Sequence, residues 1–157
     1  MSVRASAEIL SRIPLFAECD RAHLQVLAFS ARNHNFAPGD PIIKQGMVAA
    51  SAFMILDGVA EISVVERGRI RKLGNAGPGI LLGELAMISG HQYSVTATAR
   101  SLLTAAAIER ETFLRVAGEF PEFGIRVQRV MARKLEAMVN EFASVRQVFD
   151  KARAFAR

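Results

Sequence analysis

Apolar residues near the start of the chain recur at intervals of three and four positions, a pattern that is typical of amphipathic helices. They are Ile9, Ile13, Leu15, Phe16, Leu24, Leu27 and Ala28. Pro14 interrupts this pattern, and a proline inside a helix removes a backbone hydrogen bond. We therefore predict two short helices within residues 6–32, with Asp20 as the N-cap of the second.

Between residues 33 and 108 the pattern changes to short apolar runs that are separated by Gly, Pro, Asn and Asp. Six runs are strand-like, at residues 42–43, 53–56, 60–64, 70–73, 94–99 and 102–108. Turn signals such as Pro38-Gly39-Asp40 and Gly77-Pro78-Gly79 lie between them. Short strands at intervals of about 8–12 residues predict a sandwich or barrel. The strand–helix alternation of a parallel α/β fold is missing, so we predict an α+β chain that is mainly β.

Residues 109–157 return to a helical pattern. Phe113, Leu114 and Val116 suit one short helix, and Pro121 fits the first turn of the next. The long helix that follows carries an apolar seam with alternating steps of four and three, flanked by charged residues. The seam consists of Met131, Leu135, Met138, Phe142, Val145, Phe149 and Ala152. It either packs on its own domain or pairs with the same helix of a second subunit, and its 3.5-residue period favours a homodimer.

A specific string follows the last of the central turns. Residues 77–99 read GPGILLGELAMISGHQYSVTATA. This string resembles the phosphate-binding cassette of cyclic-nucleotide-binding domains, which occur in the catabolite activator protein and FNR regulator superfamily, in cyclic-nucleotide-gated channels and in protein kinase A regulatory subunits. Three further segments match the family in the same order, at residues 13–16, 36–46 and 53–62. The resemblance covers about residues 10–140, and four ordered segments are stronger evidence than one glycine motif.

The resemblance implies a β-roll, a jelly-roll-like double-stranded β-helix, within one domain that spans residues 1–157. N-terminal helices at 6–32 precede the roll at 33–108, whose cassette is residues 83–96. A hinge helix and a long C-terminal helix occupy residues 109–157. The chain is then expected to act as a regulatory module that binds a small anionic ligand, with cyclic AMP or cyclic GMP as candidates, and that signals through its C-terminal helix.

The resemblance also assigns site residues. Glu84 is expected to accept a hydrogen bond from the ribose 2′-hydroxyl, and the helical turn that follows it to point backbone N–H groups at the phosphate. Gly83 allows a close backbone approach. The expected ligand-binding set is Gly83, Glu84, Leu85, Ala86, Tyr93, Ser94 and Val95. From the long helix, Arg133 and Asn140 are predicted to contact the base.

One position departs from the family pattern. Where the family reads Pro-Arg-Ser-Ala-Thr, this chain has Gln92-Tyr93-Ser94-Val95-Thr96, so Tyr93 replaces the arginine that neutralises the phosphate. A tyrosine has one hydroxyl and no charge. A charge-assisted hydrogen bond contributes ~1.5–3 kcal/mol, so its loss predicts cyclic-nucleotide binding that is about a hundredfold weaker. His91 is interpreted as a turn-exposed histidine and not as a substitute cation.

Charge and cysteine content narrow the function further. The net charge is +5, and residues 110–157 hold ten Lys or Arg against six Asp or Glu. This basic segment is interpreted as a solvated helix face, with phosphate, nucleic acid or an acidic protein as alternative partners. The single cysteine, Cys19, excludes an intramolecular disulfide and fits a cytoplasmic protein. No apolar run is long enough to span a membrane.

Three other functions are alternatives to the ligand-binding module. In the first alternative the chain is a degenerate domain, which keeps the fold, binds no nucleotide and acts through protein–protein contacts. As a fragment of a transcription regulator it would lack the helix-turn-helix, so no specific DNA binding is expected. No catalytic or metal-binding constellation is found, and the three histidines are scattered, so we predict neither an enzyme nor a cofactor.

Overall fold

The computed structural model describes residues 2–155. Helix α1 spans Val3–Arg12, a 3-10 turn spans Pro14–Phe16, and helix α2 spans Arg21–Ser30. The predicted break at Pro14 is confirmed, although the first helix begins earlier than expected. Asp20 is the N-cap of α2, because its carboxylate accepts a hydrogen bond from the backbone N–H of Ala22 at 3.3 Å.

The central part of the chain forms two antiparallel four-stranded sheets. The strands are β1 (Arg32–Phe36), β2 (Pro41–Ile43), β3 (Ser51–Asp57), β4 (Ala60–Glu66), β5 (Arg69–Ala76), β6 (Leu81–Leu82), β7 (Thr96–Ala99) and β8 (Leu103–Glu109). One sheet has the order β1-β8-β3-β6 and the other β2-β7-β4-β5. This is the predicted β-roll, and the α+β, mainly β fold class is confirmed.

Two of these strands were not predicted. Strand β1 carries mostly exposed polar residues, and it pairs along the edge of its sheet with β8, from Arg32 opposite Ala107 to Phe36 opposite Leu103. Strand β6 has only two residues, which pair with β3. Neither has the alternation of apolar and polar residues by which a strand is identified in a sequence.

Two short helices adjoin the roll. Helix α3 spans Glu84–Ser89, and helix α4 spans Arg110–Glu119. An aromatic cluster joins α4 to the N-terminal turn and to the helix that follows. In this cluster Phe16, Phe113 and Phe123 have ring centroids 5.5–6.5 Å apart. Such aromatic pairs contribute about 0.5–1.5 kcal/mol each beyond the area that they bury, so the cluster fixes the start of the last helix on the domain.

The last helix, α5, spans Pro121–Phe155 and has two different parts. Near its start Phe123 and Val127 are buried, and Met131 packs against the core. Every side chain from residue 132 to residue 154 is exposed. Arg133 still donates a hydrogen bond to Glu18, and beyond this contact the helix projects from the domain. No helix within residues 2–155 combines the length and the apolar character needed to cross a lipid bilayer.

Candidate ligand-binding site

Helix α3 is held between two glycines in the left-handed region. Gly83 is its N-cap with φ 76°, and Gly90 is its C-cap with φ 72°. These conformations are costly for other residues, and they let the chain reverse on both sides of a six-residue helix. The guanidinium of Arg110 donates from Nε to the carbonyl of Met87 at 2.9 Å, which ties the end of α3 to the start of α4.

A cavity of about 390 Å³ lies beside α3, and we call it the cassette cavity. It is lined by all seven residues of the expected ligand-binding set, Gly83, Glu84, Leu85, Ala86, Tyr93, Ser94 and Val95. Seven further lining residues are Ile43, Ile62, Asn75, Ala76, Ile80, Leu81 and Leu82. The structure therefore brings the predicted residues together, while their individual roles toward a ligand remain predictions.

The side chains that line the cassette cavity carry one negative charge and no positive charge, which is unusual for a phosphate site. Glu84 is the one charged residue among those that line it, and its polar neighbours are Asn75 and Ser94. His91, on the exposed turn after α3, is not among the lining residues. The described residues thus offer hydrogen-bond acceptors and backbone N–H groups to a ligand, but no cationic side chain that would neutralise a phosphate.

Two cationic side chains of the neighbouring β4–β5 hairpin form ion pairs with carboxylates of the same hairpin. Lys72 pairs with Glu61 at 3.2 Å, and Arg71 pairs with Glu66 at 3.0 Å. Exposed ion pairs of this kind contribute little to stability. They do show that these two side chains lie along the hairpin and not in the cassette cavity.

Tyr93 is a packed part of the cassette. Only 7% of the residue is exposed, and its hydroxyl donates a hydrogen bond to the backbone carbonyl of Ser51. Burial raises the pKa of the phenol, so it stays protonated at neutral pH. The sequence led us to expect a ligand close to Gly83. In this structure the group that approaches Gly83 is the Tyr93 ring, because a Cβ added at Gly83 would lie 2.5 Å from Tyr93 Cε1.

Gly83→Ala is therefore expected to destabilise the fold by about 2–3 kcal/mol, because strain at positive φ adds to a clash with a buried ring. The free energy of unfolding would be measured by urea denaturation. Gly68→Ala is the matched control, since Gly68 has the same φ of 76° and open space at its Cβ. An equal loss in both variants would show that the contact with Tyr93 adds nothing to the backbone strain.

A second cavity of about 600 Å³ lies between the 3-10 turn, α3 and α5, and we call it the hinge groove. It is lined by Ile13, Pro14, Leu15, Ala17, Glu18, Glu84, Leu85, Val130, Met131, Arg133 and Lys134. Arg133 donates a hydrogen bond to the Glu18 carboxylate there. Neither Arg133 nor Asn140 lines the cassette cavity. The contact of these two residues with a base stays a prediction.

The predicted seam of α5 divides at Met131. Met131 is half-buried against its own domain, whereas the next five seam residues are 50–73% exposed. These are Leu135, Met138, Phe142, Val145 and Phe149. Packing on its own domain thus accounts for Met131, whereas the exposed part has no partner from its own chain among the described residues, and its pairing with a second subunit stays a prediction.

Comparison with known proteins agrees with this geometry. The chain is 27% identical over 134 residues to a cAMP-dependent protein kinase regulatory subunit from Schizosaccharomyces pombe, a match that covers 85% of this chain and 31% of that protein. It spans between about a quarter and a third of the length of the curated relatives that it matches.

Two solved structures share the fold. The N-terminal domain of a transcriptional regulator from Streptomyces coelicolor superposes with a TM-score of 0.77 at 25% identity, covering 85% of this chain and 93% of that one. The regulatory subunit of a cAMP-independent protein kinase A from Trypanosoma brucei gives a TM-score of 0.68 at 24% identity, covering 84% of this chain and 47% of that one.

The family model of the cyclic nucleotide-binding domain matches residues 33–119. These residues contain all eight strands except the first position of β1, together with α3 and α4. The resemblance that the cassette first indicated is thereby confirmed, and the chain belongs to the cyclic nucleotide-binding domain family.

Proposed function

We propose that this chain is a regulatory module that takes a small ligand into the cassette cavity and signals through α5. The observation that carries the proposal is the cavity itself, which persists beside α3 although Tyr93 is packed against Gly83. The family supports a small ligand as partner. The relatives reported above are regulatory subunits and regulators, which supports a role in regulation and not in catalysis.

The route from the ligand to α5 runs through α3. Glu84 and Leu85 line both the cassette cavity and the hinge groove, and the groove's opposite wall is Val130 and Met131 of α5. A ligand that binds one position of α3 better than another shifts the population toward that position. The surface on which α5 packs then changes, and the projecting half of the helix transmits the change.

The exposed seam supports a second copy of this chain as the partner of α5. In a parallel coiled coil, the seam positions of the two helices interlock, and the flanking positions of one helix face those of the other. Glu141 and Arg146 occupy flanking positions five residues apart, where Glu141 of each helix meets Arg146 of its partner. This pairing of opposite charges favours the parallel arrangement over one in which like charges meet.

Cyclic nucleotides are the first ligands to test, at an affinity lowered by the missing arginine. One relative supports this interpretation of Tyr93. The Trypanosoma brucei protein is described as cAMP-independent, and its structure with cyclic AMP is that of a mutant with three substitutions, one of which replaces threonine by arginine. An arginine thus accompanies cyclic AMP binding in a domain of the same fold.

Calorimetry with cyclic AMP and cyclic GMP tests the proposal. We expect weak, saturable binding to the wild type with a dissociation constant on the order of 0.1–1 mM, which is about −4 to −5.5 kcal/mol. Val95→Phe, which fills the cassette cavity, should abolish the heat. Val65→Phe is the matched control, because Val65 lies half-exposed on the β4–β5 hairpin outside the cavity.

A second candidate function is protein–protein interaction without a nucleotide. The buried Tyr93 ring and its hydrogen bond to Ser51 favour it, because they occupy with protein atoms the position that the cassette pattern assigns to the phosphate-binding side chain. The absence of heat at millimolar concentrations of both nucleotides, with folded protein, would support this candidate and contradict the nucleotide-binding proposal.

A further inference from the structure

The hairpin of β4 and β5 presents an open sheet edge that carries excess positive charge. We propose that this edge binds an extended acidic segment of another protein, which adds to β5 as a further strand and whose carboxylates pair with Arg67 and Arg69. The proposal depends on neither the cassette cavity nor the seam of α5. Its test is therefore independent of the function proposed above.

Strand β5 forms an edge because β4 is its single neighbour in the sheet that the described residues form. Seven of its eight residues are exposed. The backbone hydrogen bonds of the described chain link β5 to no strand or loop other than β4. The outer side of β5 thus offers unpaired N–H and C=O groups, to which an extended chain binds by strand addition.

The turn of the hairpin shows which backbone groups of β5 are free. It consists of Arg67 and Gly68, whose φ values of 52° and 76° are both positive, as in two-residue hairpin turns. The residues beside such a turn exchange two hydrogen bonds, and every second pair along the ladder does the same. Arg71 belongs to one of these bonded pairs. The backbone groups of Ile70 and Lys72 therefore point away from β4, toward the free edge.

Gln45 fills the equivalent position on the other strand. Val65 lies opposite Ile70. The N–H of Val65 donates to Gln45 Oε1 at 2.8 Å, and its carbonyl accepts from Gln45 Nε2 at 3.3 Å. The Gln45 amide thus pairs with β4 as a peptide group of a further strand would, and it fixes the hairpin on the roll. The open edge of β5 is therefore preorganised for a partner, which lowers the entropy cost of binding.

The hairpin contains more cations than carboxylates. Residues 60–76 hold four Lys or Arg and two Glu. Both glutamates already pair with cations of the hairpin, and Glu61 also contacts Arg100 at 3.2 Å. Arg67 and Arg69 form no ion pair within the part of the chain that the structure describes, and they line a concavity of about 930 Å³ at the tip. Two guanidinium groups are thus left to attract carboxylates of a partner.

The side chains of β5 define the pattern of the partner strand. Successive side chains of a strand lie on opposite faces, so Arg69 and Arg71 share one face and Ile70 lies on the other. Ile70 is 75% exposed. A strand in which acidic and apolar residues alternate presents its carboxylates to the arginines and covers Ile70 with its apolar side chains.

The same side chains disfavour two other occupants. A second copy of β5 would bring arginines close to arginines, and like charges on neighbouring strands destabilise a sheet. Single-stranded nucleic acid binds through its phosphates together with aromatic side chains that stack on its bases. Residues 57–79 contain no aromatic side chain. An acidic peptide therefore fits this edge better than either.

The experiment titrates the full ¹⁵N-labelled chain with a blocked heptapeptide in which glutamate and valine alternate. We expect saturable binding with a dissociation constant on the order of 0.1–1 mM. The amide protons of Ile70 and Lys72 should shift downfield as they form hydrogen bonds, while that of Arg71, already bonded within the hairpin, stays in place. The same peptide with lysine for every glutamate should not bind.

A pair of arginine variants tests the charge. Arg69→Gln is expected to weaken binding of the acidic peptide about fivefold. Arg115→Gln is the matched control, because Arg115 is an exposed residue of α4 outside the hairpin, and it should leave binding unchanged.

Three results would overturn the proposal. Binding without downfield shifts at Ile70 and Lys72 would mean charge attraction with no added strand. Binding of a single-stranded deoxythymidine decamer but not of the peptide would identify a nucleic-acid surface. The absence of any saturable shift would mean that the edge has no such site.

Discussion

Tyr93→Arg is expected to raise the affinity for cyclic AMP about a hundredfold above that of the wild type. The cassette cavity contains Glu84 and no cationic side chain, so a bound phosphate has no counter-charge there. An arginine at position 93 adds a charge-assisted and often bidentate hydrogen bond, worth about 1.5–3 kcal/mol. Titration calorimetry measures the two dissociation constants directly.

The substitution has a structural cost that the experiment must separate from binding. It removes the hydrogen bond to Ser51 and the packing of the ring on Gly83, so a loss of about 1–3 kcal/mol in unfolding free energy is expected. Tyr93→Phe is the matched control, because it keeps the ring and loses only the hydroxyl. It should leave cyclic AMP affinity at the wild-type level. A folded Tyr93→Arg variant with no gain would show that the cavity is unsuited to the nucleotide for another reason.

Phe142→Asp is expected to convert a dimer of this chain into monomers, with the dimer dissociation constant raised at least a hundredfold. In a symmetric dimer the change places two carboxylates in the apolar seam and removes two phenyl rings from it. An uncompensated charge in such a place costs several kcal/mol. Sedimentation velocity over a range of protein concentrations measures the effect.

The monomer should tolerate this change, because Phe142 is 73% exposed in the single chain. Asn140→Asp is the matched control on the same helix, since Asn140 is exposed and lies outside the seam. It adds the same charge and should leave the dimer intact. If the wild-type chain remains monomeric at the highest protein concentration measured by sedimentation, the dimer proposal is refuted.

Much of the fold could be predicted from local sequence patterns. The six predicted strands and the helices on either side of the roll follow from apolar spacing, from Asp20 as a cap and from Pro121 at a helix start. Strand β1 could not be predicted from the sequence, because it forms by pairing with residues of β8 that lie about 70 positions away. Its own residues are mostly polar and exposed.

The site was predictable to the extent that it is local in sequence. Its seven expected residues fall within residues 83–95, so one motif locates them all. Ile62 and Asn75 reach the same cavity from β4 and β5, and no spacing in the sequence shows which strands face the cassette. The contacts of Tyr93 with Ser51 and of Arg133 with Glu18 join residues 42 and 115 positions apart, and only the folded chain brings them together.

In the proposed signalling through α5, the projecting half of the helix would act as a lever arm whose fulcrum is the aromatic cluster around Phe123. From Phe123 to Phe155 the helix extends about 48 Å, at 1.5 Å per residue. A tilt of about 5° at the fulcrum would then carry the far end through about 4 Å. A displacement of that size would exceed the tolerance of an interlocked apolar seam in the proposed dimer, so a small motion beside α3 would be amplified into a change of register or separation at the distal end of the helix.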